Sequence, residues 1–418
     1  MKIRAVKGFN DILPSDSPKW QFIERTLREV FALYAYSEIR VPIVEKTEVF
    51  SRSIGEATDI VEKEMYTFLD KKGTSLTLRP EGTASVVRAF VQNALYSKNP
   101  INKLYYMGPM FRYERPQKGR YRQFYQVGAE FFGEAAPYAD AEMLAMIMHF
   151  FDKIGLDEVV LNINSLGCDG CRKEYKKALV TYFKAELDKL CENCTRRIDL
   201  NPLRILDCKA ASCNELKEDA PLLSKYLCGD CADHFSKVKS SLDALNVPYI
   251  LNERMVRGLD YYTRTTFEVT TNLLGAQNAV AAGGRYDKLC EQFSGPKTPA
   301  IGFALGVERL SLLLGDEKDY KEKPAIFIAA IGDKAKKVGF KILDSLRQNN
   351  ITCEMELADK SLKSQMRRAD KSGCKHVLII GEDELTNNAA VLRDMSTKDQ
   401  RDVNLESVSE TIIAQCNS

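Results

Sequence analysis

The 418-residue chain has one tryptophan, three histidines and a formal net charge of only +2. With 60 Lys and Arg against 58 Asp and Glu, bulk charge makes no case for a nucleic-acid partner, and any such case must rest on local patches. Nowhere do about 18 apolar residues run together, as a membrane-spanning helix requires. The opening MKIRAVKGFNDILPSD contains no apolar signal core. These absences predict a cytoplasmic chain that does not meet a membrane. Internal repeats and low-complexity stretches are also missing. The three histidines, His149, His234 and His376, lie in no recognisable motif; His149 reads as a helix-face residue and the other two as surface residues.

Cysteine, by contrast, is plentiful, with twelve residues. In a short secreted chain that would suggest disulfides, but the uneven spread here points to a local thiol feature in a reducing compartment. Eight fall in one segment: Cys168, Cys171, Cys191, Cys194, Cys208, Cys213, Cys228 and Cys231. Three pairs are C-x-x-C, the spacing at which a turn offers two thiolates to one tetrahedral zinc. Structural Zn²⁺ on Cys168, Cys171, Cys191, Cys194, Cys228 and Cys231 is therefore a candidate, with one or two four-cysteine sites in the segment. Buried or free thiols are the alternative, and the spacing does not fix the pairing.

The length calls for two or three cores. Ser17-Pro18 opens an amphipathic helix with Trp20, Ile23, Leu27, Val30, Phe31 and Tyr34 on one face. The stretch 39-IRVPIVE-45 alternates as a strand that Pro42 confines to an edge or to contact with another chain. The run 74–83 reads as a short strand leaving through a turn into a helix over 84–94, and a helix over 138–155 is followed by a strand over 158–164. From Cys168 to about Pro248 the texture is helical and rich in Lys, Glu and Cys, after which strands resume over 262–271 and 277–284. A segment that interrupts a sheet and lets it continue reads as an inserted domain. Beyond the charged linker 311–324, strands over 325–331, 351–357 and 376–381 alternate with helices over 334–348 and 361–371, a βαβαβ order implying a mostly parallel sheet.

Four stretches carry arginine where chemistry could use it. In 107-MGPMFRYERPQKGRYRQFYQVGAE-130, Arg112 and Glu114 share a face at strand spacing, Gln126, Gly128 and Glu130 share another, and Arg115, Lys118, Arg120 and Arg122 crowd the loop between. Guanidinium binds phosphate through two parallel hydrogen bonds, so a nucleotide or RNA site is expected. In 302-GFALGVERL-310, Gly302, Ala304 and Gly306 leave one strand face bare, with Arg309 at the exit into a helix. In 257-RGLDYYTRTTFE-268, an arginine precedes a strand opening with two tyrosines, and in 281-AAGGRYDKL-289 paired glycines permit close backbone approach before Tyr286.

Together RPEGT (79–83), FRYERPQKGRYRQF (111–124), RGLDYYTRTTFE, GGRYD (283–287) and GFALGVER (302–309) resemble the histidyl-tRNA synthetases, a class II aminoacyl-tRNA synthetase family, and the resemblance covers essentially the whole chain. It implies an α+β class II catalytic core on an antiparallel sheet (1–166 and 251–320), a helical Cys-rich insertion (167–250) and a C-terminal α/β (βαβαβ) anticodon-binding domain (324–418). The implied reaction activates L-histidine with ATP and Mg²⁺ and passes it to tRNA(His), in a homodimer. By motif match, Arg112 holds the α-phosphate, Glu114 the adenine amino group and Arg309 the γ-phosphate of a bent ATP, with Arg120 in the hairpin loop contacting the ATP phosphates, while Arg257 sits where carboxylate and α-phosphate meet. Glu81, Thr83 and Gln126 match the ammonium group, and Glu130, Tyr262 and Tyr286 the imidazole pocket. Because the amino-acid carboxylate is itself the nucleophile, positioning and charge stabilisation should suffice. The basic helix with Lys363, Arg367, Arg368, Lys371 and Lys375 against Asp370 would meet RNA. Similar chains that only bind histidine as regulatory subunits typically lack the anticodon domain and lose the signature arginines. Arg112, Arg257, Arg309 and the C-terminal unit are all present here.

Overall fold

The computed structural model describes residues 3–55, 58, 60–275 and 278–417, in two compact units, Met1–Asp319 and Tyr320–Ser418. In the first unit, helix α1 (Ser17–Leu33) is followed by strands β1 (Ser37–Glu38), β2 (Val44–Lys46), β3 (Tyr66–Leu69) and β4 (Ser75–Leu78). Helix α2 (Thr83–Gln92), strands β5 (Asn102–Phe111) and β6 (Gln123–Phe132), helix α3 (Pro137–Ile154) and strand β7 (Val160–Ser165) come next. Four helices, α4 (Asp169–Ala185), α5 (Glu192–Leu200), α6 (Ala211–Asp219) and α7 (Gly229–Ala244), then interrupt the strands. The strands resume as β8 (Ile250–Leu251), β9 (Thr263–Thr270), β10 (Ala279–Arg285) and β11 (Ala300–Gly306), ending in helix α8 (Val307–Leu313). The strand expected from 277 has its first residue, Gln277, outside the described residues.

The main sheet runs β1-β5-β6-β11-β10-β9-β7-β8, antiparallel except where β1 joins β5 and β8 joins β7. Because side chains alternate across a strand, its two faces differ completely. Val127, Ala129 and Phe131 of β6, Phe303 and Leu305 of β11, and Phe267 and Val269 of β9 share one buried cluster with Ile23, Leu27 and Phe31 of α1 and Met143, Ile147 and Phe150 of α3. Phe31 stacks on Tyr105 at 4.5 Å. The intervening residues of β6 and β11 lie side by side on the opposite face, with Glu130 beside Gly302, Gly128 beside Ala304 and Gln126 beside Gly306.

Several expectations need correction. Residues 39–43 do not form a strand. Pro42 offers no N–H, and the Val41 carbonyl is taken at 2.9 Å by the Arg79 guanidinium, so the ladder stops at β1 and restarts at β2. Strand β5 ends at Phe111, which leaves Arg112 and Glu114 in the following loop, and Tyr261 and Tyr262 precede β9 instead of opening it. Helix α7 belongs with the sheet and not with an autonomous insertion, since Phe235, Val238 and Leu242 join the cluster under α3. His234, on the same helix, is buried, its Nε2 3.6 Å from Asp140, so it is not a surface residue; His376 keeps 17% side-chain exposure.

The second unit comprises β12 (Ile326–Ala330), α9 (Asp333–Gln348), β13 (Cys353–Met355), α10 (Leu362–Ser372), β14 (His376–Ile380), β15 (Ala389–Asp394), β16 (Gln400–Asn404) and α11 (Val408–Asn417). Its sheet runs β13-β12-β14-β15-β16, parallel in the first three strands and antiparallel in the last two. The βαβαβ order is present, and the mixed edge comes from a hairpin that weak alternation in 389–404 did not announce.

Candidate active site

On the open face of the main sheet lies a cavity of about 310 Å³. The small residues of β10 and β11 make its floor, and arginines enter from three separate segments. Arg112 and Arg120 come from the loop after β5, Arg257 from the segment before β9, and Arg309 from the first turn of α8. Glu81, Thr83, Glu114, Gln126, Tyr261, Tyr262 and Glu268 complete the polar wall. Nine of the eleven residues expected from the motifs thus line one cavity: Glu81, Thr83, Arg112, Glu114, Arg120, Gln126, Arg257, Tyr262 and Arg309.

Each arginine is held in place. The Nε of Arg112 donates to the Pro80 carbonyl at 2.8 Å, and its guanidinium lies 5.4 Å from the Phe124 ring centre. Arg120 pairs with Glu114, and Arg309 donates to the carbonyls of Ala279 and Gly119. Arg257 Nη1 donates to Glu268 Oε1 at 2.9 Å. Burial draws Arg112, Arg120 and Arg309 below the ordinary guanidinium value, and for Arg309 the charges of Arg120 and Arg112 add to the effect. Arg257 differs: burial also opposes its charge, but Glu268 and Tyr262 together raise it. Three cations that repel one another around a floor of glycine and alanine favour a flat, polyanionic occupant.

The remaining two expected residues lie just beneath the cavity. Glu130 is fully buried; Thr83 Oγ1 donates to its Oε1 at 2.7 Å and the Tyr286 hydroxyl to its Oε2. Burial pushes Glu130 up to about 8, against the lowering effect of those two donors, with the Glu81 charge adding to the rise. Glu81 accepts the backbone N–H groups of Thr83 at 2.7 Å and Ala84 at 2.8 Å, where α2 begins. Gln126 Oε1 is buried with no hydrogen-bond partner, which leaves an acceptor beside the cavity. Among the described residues, no serine, cysteine or histidine lines it, so the arrangement suits positioning and charge stabilisation.

Sequence reasoning did not single out Glu268 or Arg285. Glu268 shared the RGLDYYTRTTFE stretch and falls two strand positions from Thr266, facing Ala282 across the sheet, a periodicity that could have found it. Arg285, inside GGRYD, has no exposed surface; it reaches Asp140 at 2.7 Å, Asp287 at 3.0 Å and the Glu134 carbonyl at 2.9 Å. It is a buried tie between β10 and α3.

The cysteines fall into two groups of four. Cys168, Cys171, Cys228 and Cys231 form one, and Cys191, Cys194, Cys208 and Cys213 the other, with all sulfurs of a group within 4.8 Å of one another. The pairing therefore joins the first C-x-x-C to the third, and completes the second with Cys208 and Cys213, which the six-residue candidate set omits. Sulfur separations of 3.6 Å (Cys168 to Cys171), 4.0 Å (Cys168 to Cys228) and 3.8 Å (Cys191 to Cys208) match the edge of about 3.8 Å that 2.3 Å zinc–sulfur bonds give a tetrahedron.

Residues 8–310 match the family model for histidyl-tRNA synthetase and residues 325–415 that for an anticodon binding domain. The chain is 54% identical over 413 residues to a histidine–tRNA ligase of Syntrophotalea carbinolica, covering 99% of both chains. It is 56% identical over 403 residues to one of Geobacter sulfurreducens, covering 96% of this chain and 97% of the other. The crystal structure of apo histidyl-tRNA synthetase from S. aureus superposes with a TM-score of 0.84 at 39% identity, over 99% of this chain and all of that one.

Proposed function

The chain belongs to the histidyl-tRNA synthetase family, and from that premise we propose how its own residues perform the reaction. The reaction is histidine–tRNA ligation: histidine and ATP give histidyl-adenylate and pyrophosphate, and histidine then passes to the 3′-terminal ribose of tRNA(His). The observation that carries the assignment of roles is that Arg112, Arg257 and Arg309 enter a single cavity from separate segments.

Arg112 and Arg257 grip the α-phosphate, where negative charge grows as the histidine carboxylate attacks and pyrophosphate leaves. Because the guanidiniums are already fixed by Pro80 and Glu268, they need no reorganisation as that charge develops. Arg120 and Arg309 hold the outer phosphates, and Glu114 accepts from the adenine amino group. Mg²⁺, the counter-ion of ATP, takes oxygen donors, and the Glu268 carboxylate in the cavity lining is of that kind. Glu81, Thr83 and the unpartnered oxygen of Gln126 receive the histidine ammonium. Glu130 accepts from one imidazole nitrogen, since its carboxyl oxygens keep free lone pairs beside the bonds from Thr83 and Tyr286 whether or not the group carries its proton, and Tyr262 and Tyr286 complete the pocket. A site that hydrogen-bonds a ring rejects apolar isosteres because its own buried groups would be left unpaired.

In the second unit, Lys363, Arg367, Lys371 and Lys375 expose charge on and just after α10, a basic face for the anticodon arm. Arg368 is less available, being 3.0 Å from Glu356 and 3.5 Å from Glu354. Zinc bound by the cysteines is structural, because four thiolates leave no open position for substrate. Exposed Phe68 and Leu69 on the edge strand β3, with Ile43 and Val44 near β2, support a homodimer. None of the described helices is long and apolar enough to cross a membrane, consistent with action in the cytoplasm.

ATP–pyrophosphate exchange with each of the twenty amino acids, on the wild type and on Arg257→Ala, tests this reading. Exchange with histidine alone is expected, reduced on the order of 10²–10³-fold in the variant while histidine still binds. Exchange unaffected by the substitution would remove Arg257 from its role.

A further inference from the structure

The two cysteine groups differ in what they hold. The first closes a neck: Cys168 and Cys171 stand where the chain leaves β7 into α4, and Cys228 and Cys231 where it enters α7. The second lies inside the excursion and joins three separate pieces, with Cys191 and Cys194 at the start of α5, Cys208 after the turn that follows α5, and Cys213 on α6.

Those three pieces grip the segment carrying Arg257 at both ends. Upstream, Arg254 donates to the carbonyls of Lys217 and Glu218, at the C-terminal end of α6. Downstream, Arg204 donates to the Gly258 carbonyl and lies 3.6 Å from Asp260, and Asn201 Nδ2 donates to Asp260 Oδ1 at 3.1 Å. Arg204 and Asn201 lie between α5 and Cys208. The Cys208 carbonyl in turn accepts from Lys217 on α6. The pieces that clamp 254–260 are thus the ones that Cys191, Cys194, Cys208 and Cys213 would bring together, at the end of a small buried cluster in which Ile198, Ile205 and Leu216 pack on Leu179 and Phe183 of α4. The same group faces the hairpin loop, since Arg120, Arg204, Cys191 and Cys208 line one shared cavity.

We propose that the chain binds two zinc ions, one per cysteine group, and that the Cys191/Cys194/Cys208/Cys213 ion is a positioning site for Arg257, acting through Arg204, Asn201 and Arg254. The proposal rests on reading the cysteines as zinc ligands and adds to it both the partition and the link to catalysis. Outer supports of a reactive group commonly matter on the order of 10–100-fold in activity, and displacement of a catalytic group by about 1 Å costs on the order of 100-fold.

The test measures metal content and exchange kinetics together on the full chain purified without added zinc. Two equivalents of zinc are expected in the wild type and one in Cys208→Ser and in Cys213→Ser. Both variants should lose on the order of tenfold or more in kcat for ATP–pyrophosphate exchange, with KM for ATP moved much less. Arg204→Ala guards against misfolding of the serine variants; it should keep both zinc ions and show the same fall in kcat. Less than a tenth of an equivalent in a folded wild type would overturn the zinc reading itself. Two equivalents in the wild type with full kcat in Arg204→Ala would overturn the positioning role alone.

Discussion

Gly302 lies directly beside the Glu130 carboxylate: a Cβ on Gly302 would come 1.7 Å from Glu130 Oε2. The bare position on β11 therefore makes room for a neighbouring side chain as much as for a ligand. Gly302→Ala should push Glu130 off its bonds to Thr83 and Tyr286. Overpacking of this kind costs typically about 1–3 kcal/mol, so a lower denaturation midpoint is expected together with a raised KM for histidine. Unchanged histidine affinity in a folded variant would dissociate Glu130 from imidazole recognition.

Glu130 also sets a pH signature. Its folded value of about 8 lies above the ordinary 4.5 because burial disfavours its charge. Between those values the unfolded chain has released the proton and the folded chain retains it, so this group lowers stability as pH rises from about 4.5 to about 8 and adds no further change above that. Glu130→Gln should flatten the decline. Thermal melts of the ligand-free wild type and variant across pH 5 to 8 measure it; parallel curves would count against a raised Glu130.

Glu268 is expected to act through Arg257. Removing its charge in Glu268→Gln leaves the guanidinium without its anchor, and kcat for exchange should fall on the order of tenfold. KM for histidine should change little, because the ammonium and imidazole groups lie elsewhere. A large rise in that KM with kcat intact would instead make Glu268 a histidine contact.

Asp140→Asn addresses the tie between α3 and β10. Arg285 would remain fully buried with its main anion gone, and breaking a buried pair from one side costs about 3–5 kcal/mol. A marked drop in urea midpoint is expected, with exchange activity per folded molecule close to wild type at low temperature. Loss of activity without loss of stability would give GGRYD a catalytic arginine after all.

For the proposed homodimer, light scattering at micromolar concentration should report twice the chain mass, and Phe68→Glu with Leu69→Glu should shift it towards one chain. A wild type that stays monomeric would leave the exposed edge of β3 without that explanation.

Much of the site could be read from the sequence because its residues sit in short contiguous stretches on strands or at their ends. Gly302, Ala304 and Gly306 announced a bare face by alternation alone. The sequence was less informative where a long-range contact decided the outcome. Arg79 taking the Val41 carbonyl ended a strand that alternation favoured, and His234 looked like a surface residue until α7 packed against α3 and set it beside Asp140. Cysteine spacing suggested metal, but not that the first and third pairs converge across some 60 residues while the second is completed by two singly spaced thiols. Glu268 could have been placed on the cavity face by its strand spacing from Thr266, but its ion pair with Arg257 is a contact between two segments that spacing does not encode.

The place where the helical excursion leaves and rejoins the sheet has an evolutionary consequence. Strand β7 pairs with both β8 and β9, so the strands on either side of the excursion are already neighbours. Nearly all of 168–228 could be lengthened, shortened or exchanged without moving a single strand register beneath the arginine-lined cavity. Substrate chemistry and the decoration above it can therefore change at different speeds within one gene, provided the rebuilt segment still presses on residues 254–260.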